Sequence, residues 1–391
     1  MRRKPFVSWP VFDKREEREL LEVLRSGKWG IGGTKNEEFA SKFAAYHQAE
    51  FGVTCSSGTA GLEIALKAVG VRYGDEVIVP PYTFIATAGC VLSLGAIPVF
   101  VDIDPKTYNI DPNLLEGAIT PKTKAIIPVH IGGGPAHMDS IMKIANEHNI
   151  YVIEDACQAH GAEWRGHKVG AIGHMGVFSF QSSKNISAGE GGIVVTNDEE
   201  LADRAWSYMN VGRSRKGEWY GHEVLGGNYR MTEFQAGLLL AQLNRNERLM
   251  RRRERNAAYL ARKLHDVGGV EHVGAYPEVT RHAYHLFIMR YDKSQFNGLE
   301  RDRFVEAIRA EGIPLSPGYA TGPLYRLRAI AGYKIPGIET DYSKLFLPAA
   351  ERACREEGMW LHQSVLLGSR KDMDDIIDAF LKVKENASEL V

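Results

Sequence analysis

The chain has 391 residues, 44% of them hydrophobic and 25% charged, which is an ordinary globular composition with enough length for two or three domains. Lys+Arg 48 against Asp+Glu 49 leaves a net charge of −1, which points away from nucleic acid or any other polyanion as a partner. The four cysteines, Cys55, Cys90, Cys157 and Cys354, form no CxxC pair; this speaks against a zinc site or a disulfide framework and fits a reducing compartment. Met1–Arg2–Arg3–Lys4 looks like the start of a signal peptide, but Pro5, Ser8, Trp9 and Pro10 follow in place of an apolar core. No stretch reaches membrane-spanning length, so a cytoplasmic protein with no membrane partner is expected.

In chain order, Lys14–Ser26 reads as a helix closed by Gly27, and 58–70 as an amphipathic helix with Leu62, Ala65, Leu66 and Val69 on one face. A strand is expected at 76–80, a helix at 83–94, a strand at 97–103 and a helix at 111–119. Apolar strands follow at 124–129 and 151–155 with a helix between them, then two more at 177–180 and 192–196. Strands separated by helices imply crossover connections and a largely parallel sheet, with ligands gathered at the carboxyl ends of the strands. A long helical pattern over 230–264 leads out of this unit, and its basic run Arg251–Arg252–Arg253–Glu254–Arg255 reads as a solvated face. A strand at 284–291 and helices at 301–311 and 371–384 suggest a smaller α+β unit. The expected division is a large domain over 1–250 and a small C-terminal domain over 251–391. His282-Ala-Tyr-His285 reads as strand, where positions three apart face opposite ways, so no metal is expected there.

Chemistry concentrates at three places. Tyr151–Asp155 is an apolar strand ending in an acid, with Gln158 three residues on. Gly176–Phe180 is a second strand, and Lys184 follows it by four residues, before Ala188–Gly189–Glu190–Gly191–Gly192. Ser56–Ser57–Gly58–Thr59–Ala60 opens a helix with small and hydroxyl residues, whose free N–H groups and positive dipole end suit a phosphate. A lysine beyond one strand, an acid ending another and a phosphate cradle are together what pyridoxal phosphate (PLP) needs. The lysine holds the aldehyde as a Schiff base and shuttles protons, and the acid keeps the pyridine nitrogen protonated. Gln158 reads either as a contact to the phenolic oxygen or as a surface turn residue, Phe84 either as a ring stacked on the pyridine or as plain core, and Ser179 as an added phosphate contact. Asn228 and Arg230, ahead of the long helix, fit anion binding, although in isolation they read only as a capped helix start.

At these residues the chain resembles the DegT/DnrJ/EryC1/StrS family of PLP-dependent sugar aminotransferases, from about Trp29 to Leu367. The resemblance rests on Ser57-Gly-Thr-Ala, Pro81-Tyr-Thr-Phe-Ile-Ala-Thr, Asp155-Ala-Cys-Gln158, Phe178-Ser-Phe-Gln-Ser-Ser-Lys184, Gly189-Glu-Gly-Gly192 and Asn228-Tyr-Arg-Met-Thr. It implies an α/β, fold-type I transferase: a large domain with a mostly parallel sheet, a smaller C-terminal α+β domain, and a homodimer with active sites at the interface. It implies Thr59, Ala60 and Ser179 at the phosphate, Phe84 on the ring, Asp155 at the ring nitrogen, Gln158 at the phenolic oxygen and Lys184 in the Schiff base. Asn228 or Arg230 would reach the phosphate from the neighbouring subunit. Dehydratase relatives carry histidine in place of the lysine, so Lys184 argues for transamination. One departure is His174, where many members carry Asp before the Phe-Ser-Phe strand.

Phe178–Gln181, Tyr108-Asn-Ile-Asp-Pro112, Pro128-Val-His-Ile131, Gln158-Ala-His-Gly-Ala162 and Trp360-Leu-His-Gln-Ser-Val-Leu-Leu367 resemble the subgroup of glutamine:scyllo-inosose aminotransferases and 3-amino-5-hydroxybenzoate synthases more than typical nucleotide-sugar members. The expected reaction is transfer of an amino group from L-glutamine or L-glutamate to a keto-cyclitol or keto-sugar, with Tyr319, Tyr325 and His362 as candidate substrate contacts. An aminobenzoate-forming synthase or a nucleotide-keto-sugar aminotransferase is the alternative. The intact Lys184, Asp155 and Gln158 argue against a PLP-binding regulator without turnover.

Overall fold

The computed structural model describes residue 2 and residues 4–391; Met1 and Arg3, in the signal-like opening, lie outside the described residues. Seven strands build the large sheet: β1 (Phe51–Cys55), β2 (Glu76–Val79), β3 (Ile97–Phe100), β4 (Thr123–Ile126), β5 (Tyr151–Asp155), β6 (Met175–Ser179) and β7 (Gly192–Thr196). Their spatial order is β1-β7-β6-β5-β4-β2-β3. β7 is antiparallel to both neighbours, and the other pairings are parallel. The exception has a local cause: the segment from β6 to β7 contains no helix and folds back as a broad hairpin, whereas a parallel return needs a crossover.

Alternate residues of each strand enter different cores, as the pleat requires. Ile78, Ile126, Val152 and Phe178 enter one, while Val77, Val79, Ala125, Ile153 and Val177 enter the other. Helices cover both faces: α1 (Lys14–Ser26), α2 (Lys35–Tyr46), α3 (Gly58–Ala68), α4 (Ala86–Ser93), α5 (Met138–His148), α6 (Glu199–Met209) and the long α7 (Glu233–Val267). Behind β6, Phe43 packs edge-on against Phe178 and Phe180 at centroid distances of 5.0 and 5.3 Å, which backs the segment leading to Lys184.

A second, antiparallel sheet holds β8 (Val270–His272), β9 (Leu286–Tyr291) and β10 (Gly358–His362), with β9 central. It packs with α8 (Arg301–Ala310) and the helix Arg370–Glu385 around Phe287, Met289, Phe304 and Phe380. α7 joins the two units. Its Leu239, Leu240 and Met250 belong to a large-sheet core, and its Ala257, Leu260 and Leu264 to the small-sheet core. Leu324, Tyr325, Ile330 and Ile335 return to pack beside the large sheet.

Several elements depart from the expectation. The helix expected at 111–119 is two short 3-10 turns, Pro112–Leu114 and Glu116–Ala118, and Gly117 works against a continuous helix. The helix expected from Thr83 starts at Ala86, and Thr83–Ile85 form the turn before it. β1, α2 and α6 are elements the reading did not specify. His282–His285 is not strand: it bridges a short strand, Val279–Arg281, to β9, with Tyr284 at φ 49°. The basic run is not wholly solvated. Arg253 is fully buried where α7 faces the second sheet: its Nε and Nη2 donate to Gln363 Oε1 at 2.9 and 2.5 Å, and burial pulls its pKa down to about 9.

Candidate active site

β5 and β6 are parallel neighbours with Asp155 in register with Val177, so Asp155, Ser179 and the turn after β1 share one edge of the sheet. Asp155 is buried. Its Oδ1 accepts from the Cys157 N–H at 3.2 Å and its Oδ2 from the Thr87 hydroxyl at 2.8 Å. Among the described residues no lysine, arginine or histidine forms an ion pair with it. One residue earlier, the fully buried Glu154 accepts from the N–H groups of Gly170, Ile172 and Gly173 at 2.7, 2.8 and 2.6 Å and lies 2.9 Å from His130 Nε2. His130 Nδ1 accepts from the Ala136 N–H, so Nε2 carries the proton that meets Glu154. A buried carboxylate with every donor supplied fixes the strand end from which Asp155 projects.

Gln158 is also buried, and its Oε1 accepts from the Gly132 N–H at 2.7 Å. That bond decides the amide orientation and makes Nε2 the donor group facing Tyr319. Burial raises the Tyr319 hydroxyl well above the ordinary tyrosine range against a hydrogen bond from Gln158 that lowers it, so Tyr319 sits beside this group as a neutral phenol. Its ring meets Tyr82 and Trp360 edge-on at 5.1 and 5.0 Å.

The phosphate-cradle candidate is the N-terminus of α3. Ser57 is the N-cap and its side chain accepts from the Ala60 N–H at 3.1 Å. The Ala60 N–H is thus engaged by the cap, and the groups without an intrahelical partner are those of Gly58 and Thr59. Gly58 is required on steric grounds, since a Cβ there would lie 2.8 Å from both Cys157 Sγ and Ser179 Cβ. The same proximity brings the Ser179 hydroxyl to the helix start. Beside it the Ser56 N–H donates to the Tyr229 carbonyl at 2.7 Å, with Asn228 exposed and Arg230 Nη1 donating to Asn210 Oδ1 at 3.0 Å. Burial and the nearby Arg213 lower the Arg230 guanidinium pKa.

Lys184 stands in the β6–β7 hairpin, its N–H donating to the Gln181 carbonyl at 2.9 Å. Burial lowers its ammonium below the ordinary lysine range, opposed by Cys157 and Asp155. The residues on either side are held from the second sheet. The Ser183 carbonyl accepts from His362 Nε2 at 2.9 Å and Gln363 Nε2 at 3.4 Å; Asn185 donates to the Ala283 carbonyl at 2.8 Å and meets His285 Nδ1 at 3.2 Å. His362 is therefore not a free substrate contact. Its Nε2–H is committed to Ser183, and its Nδ1 faces the Ser364 hydroxyl at 2.9 Å. Tyr325 is likewise displaced from the expected role: it is buried beside Phe100, and its hydroxyl donates to Glu351 at 2.9 Å. Phe84 is 59% exposed, on the turn before α4. Thr87 closes one of the family motifs, yet the sequence assigns it no role, since its contact with Asp155 spans 68 residues of chain and leaves no local pattern.

A family model for the DegT/DnrJ/EryC1/StrS aminotransferases matches residues 10–381. A Streptoalloteichus tenebrarius protein, provisionally named L-glutamine:3-amino-2,3-dideoxy-scyllo-inosose aminotransferase, is 40% identical over all of this chain and 97% of its own. The L-glutamine:2-deoxy-scyllo-inosose aminotransferase of Streptomyces kanamyceticus is 38% identical over all of this chain and 96% of its own. Among solved structures, 3-amino-5-hydroxybenzoic acid synthase superposes with a TM-score of 0.90 at 33% identity, covering 99% of each chain. The chain belongs to the DegT/DnrJ/EryC1/StrS aminotransferase family, and it has that family's α/β, fold-type I architecture.

Proposed function

We propose that this aminotransferase uses PLP held between α3, β5 and the β6–β7 hairpin to move an amino group from L-glutamine or L-glutamate to a keto-cyclitol. The observation that carries the reading is Asp155: a buried carboxylate in no ion pair with a described side chain, on one strand edge with a lysine whose ammonium is disfavoured. A pyridinium would supply an ion-pair partner. The steric cradle at Gly58, the unpartnered N–H groups of Gly58 and Thr59 and the Ser179 hydroxyl fit a phosphate. Bound PLP supplies the aldehyde that takes the amino group from the donor and passes it to the ketone.

In this reading Lys184, whose ammonium form burial disfavours, would hold the cofactor through its amine and then carry the substrate α-proton. Gln158 Nε2 donates to the phenolic oxygen, and Phe84 covers one ring face. Tyr319 presents a neutral hydroxyl to the acceptor. The glutamine donor and cyclitol acceptor are supported by the names of relatives that span the whole chain. A dimer sharing its sites is supported by the exposure, in the single chain, of Trp29, Ile31, Phe84, Trp219, Tyr220 and Leu225. Asn228 or Arg230 is assigned to the phosphate of the second copy.

The test is the visible spectrum of the PLP-loaded protein on adding L-glutamine or L-glutamate, then 2-deoxy-scyllo-inosose. Bleaching by a donor and recovery with the ketone are expected. A loaded protein that ignores both donors sinks the reading. The likeness to the aminobenzoate synthase supports a second reading, in which the product is aromatic and absorbs in the near ultraviolet.

A further inference from the structure

Asp155 is oriented by a hydroxyl from another element. Thr87 Oγ1 lies 2.8 Å from Asp155 Oδ2 and 3.2 Å from Thr83 Oγ1. The Thr87 hydroxyl donates to Asp155 Oδ2 and has only one proton, so Thr87 must in turn accept from Thr83. The chain of bonds therefore has one direction: Thr83 O–H to Thr87 O–H to Asp155. Both threonines are buried, so water does not compete for these positions. The other carboxylate oxygen is held by the Cys157 N–H at 3.2 Å. With one oxygen tied to its own loop and the other to α4, the plane of the carboxylate is set. Each oxygen keeps a lone pair for a donor in the pocket.

The same turn carries the exposed aromatic ring. Phe84 follows Thr83 directly, and the Thr87 N–H donates to the Phe84 carbonyl at 3.2 Å. Ring and hydroxyl are thus two parts of one closed turn at the start of α4.

We propose that Thr87 is a positioning residue that aims the Asp155 carboxylate at the pyridine nitrogen of PLP, with Thr83 fixing the Thr87 hydroxyl. The Thr83–Thr87 turn then sets both the face and the edge of the ring. This rests on the reading of the pocket as a PLP site. Valine at position 87 keeps the shape and removes the proton; serine keeps the proton and loses a methyl group.

The experiment first establishes that PLP forms a borohydride-reducible adduct at Lys184 in the wild-type protein, and its absence would remove the PLP reading itself. PLP dissociation constants of the folded apo protein are then compared. Thr87→Val should weaken PLP about tenfold, as loss of a hydrogen bond to a charged group does. Thr87→Ser should stay within about twofold of wild type. In an Asp155→Asn background, Thr87→Val should cost much less than it does alone. Thr83→Val should weaken PLP by a smaller factor and keeps the inference testable if Thr87→Val does not fold. The proposal is overturned by wild-type PLP affinity in either valine variant, by Thr87→Ser behaving like Thr87→Val, or by an undiminished valine effect in the Asp155→Asn background.

Discussion

An amine can attack an aldehyde only when it is neutral, so burial of the Lys184 side chain bears directly on its reactivity. Burial lowers its pKa from the ordinary 10.5, and the amine fraction at a given pH rises accordingly. The rate of PLP capture by apo protein should therefore climb with pH and level off at a midpoint below 10.5. A rate still climbing through the ordinary lysine range would contradict the burial argument. Lys184→Ala should leave no reducible adduct on any lysine, read by peptide mass after borohydride; an adduct elsewhere would refute the assignment. Ser179 makes a separable claim. Ser179→Ala should weaken PLP about fivefold to tenfold and leave pyridoxal binding unchanged, because only PLP offers a phosphate to the lost hydroxyl. Equal loss for both ligands would place Ser179 outside the phosphate cradle.

At the scale of elements, the hairpin that carries Lys184 is held from two sides. The Phe43, Phe178 and Phe180 cluster backs it from the large-sheet core, and His362 and Gln363 hold the Ser183 carbonyl from the end of β10. Phe178→Ala should cost about 3–5 kcal/mol of stability, seen as a lower denaturant midpoint, because Phe178 is fully buried and its neighbours come from different elements. His362→Ala should act differently: slower capture of PLP at Lys184 with little change in phosphate binding, read by parallel titration with PLP and inorganic phosphate. Unchanged capture would show that the hairpin needs no support from the second sheet.

For the molecule as a whole, buried histidines set an acid limit on stability. Burial pushes His47 down to about 3 and His160 and His285 well below the ordinary 6.5. The unfolded chain takes up these protons at higher pH than the folded one, so stability falls as pH drops below about 6.5. Each histidine contributes a slope of up to about 1.4 kcal/mol per pH unit. Urea midpoints at pH 7 and pH 5.5, above the range of ordinary carboxylates, should show the loss; equal midpoints would remove it. Shared sites have their own test. Mixing Lys184→Ala with Arg230→Ala protein should restore turnover if each active site draws these residues from different copies, and no recovery would assign both to one chain.

Much of the candidate site was legible because its residues sit at the ends of short apolar runs. Asp155 closes β5, Ser179 closes β6, and Gly58 and Thr59 open a helix whose small residues mark its start. Strand alternation with helices likewise announced a sheet covered on both faces, and family motifs carried the reaction class. What stayed hidden depends on contacts between distant parts of the chain. Arg253 reads as one charge in a basic run, and only the packing of α7 against the second sheet buries it. Tyr325 and His362 offer polar groups suited to a polyol, but Glu351 and Ser183 take them up. Gly117 mattered more than the apolar spacing of 111–119. The antiparallel course of β7 follows from a hairpin with no crossover helix. Local sequence determined which groups are available at strand and helix ends; tertiary structure alone decided which of them remain free, because a hydrogen bond is claimed by whichever partner the fold brings within reach.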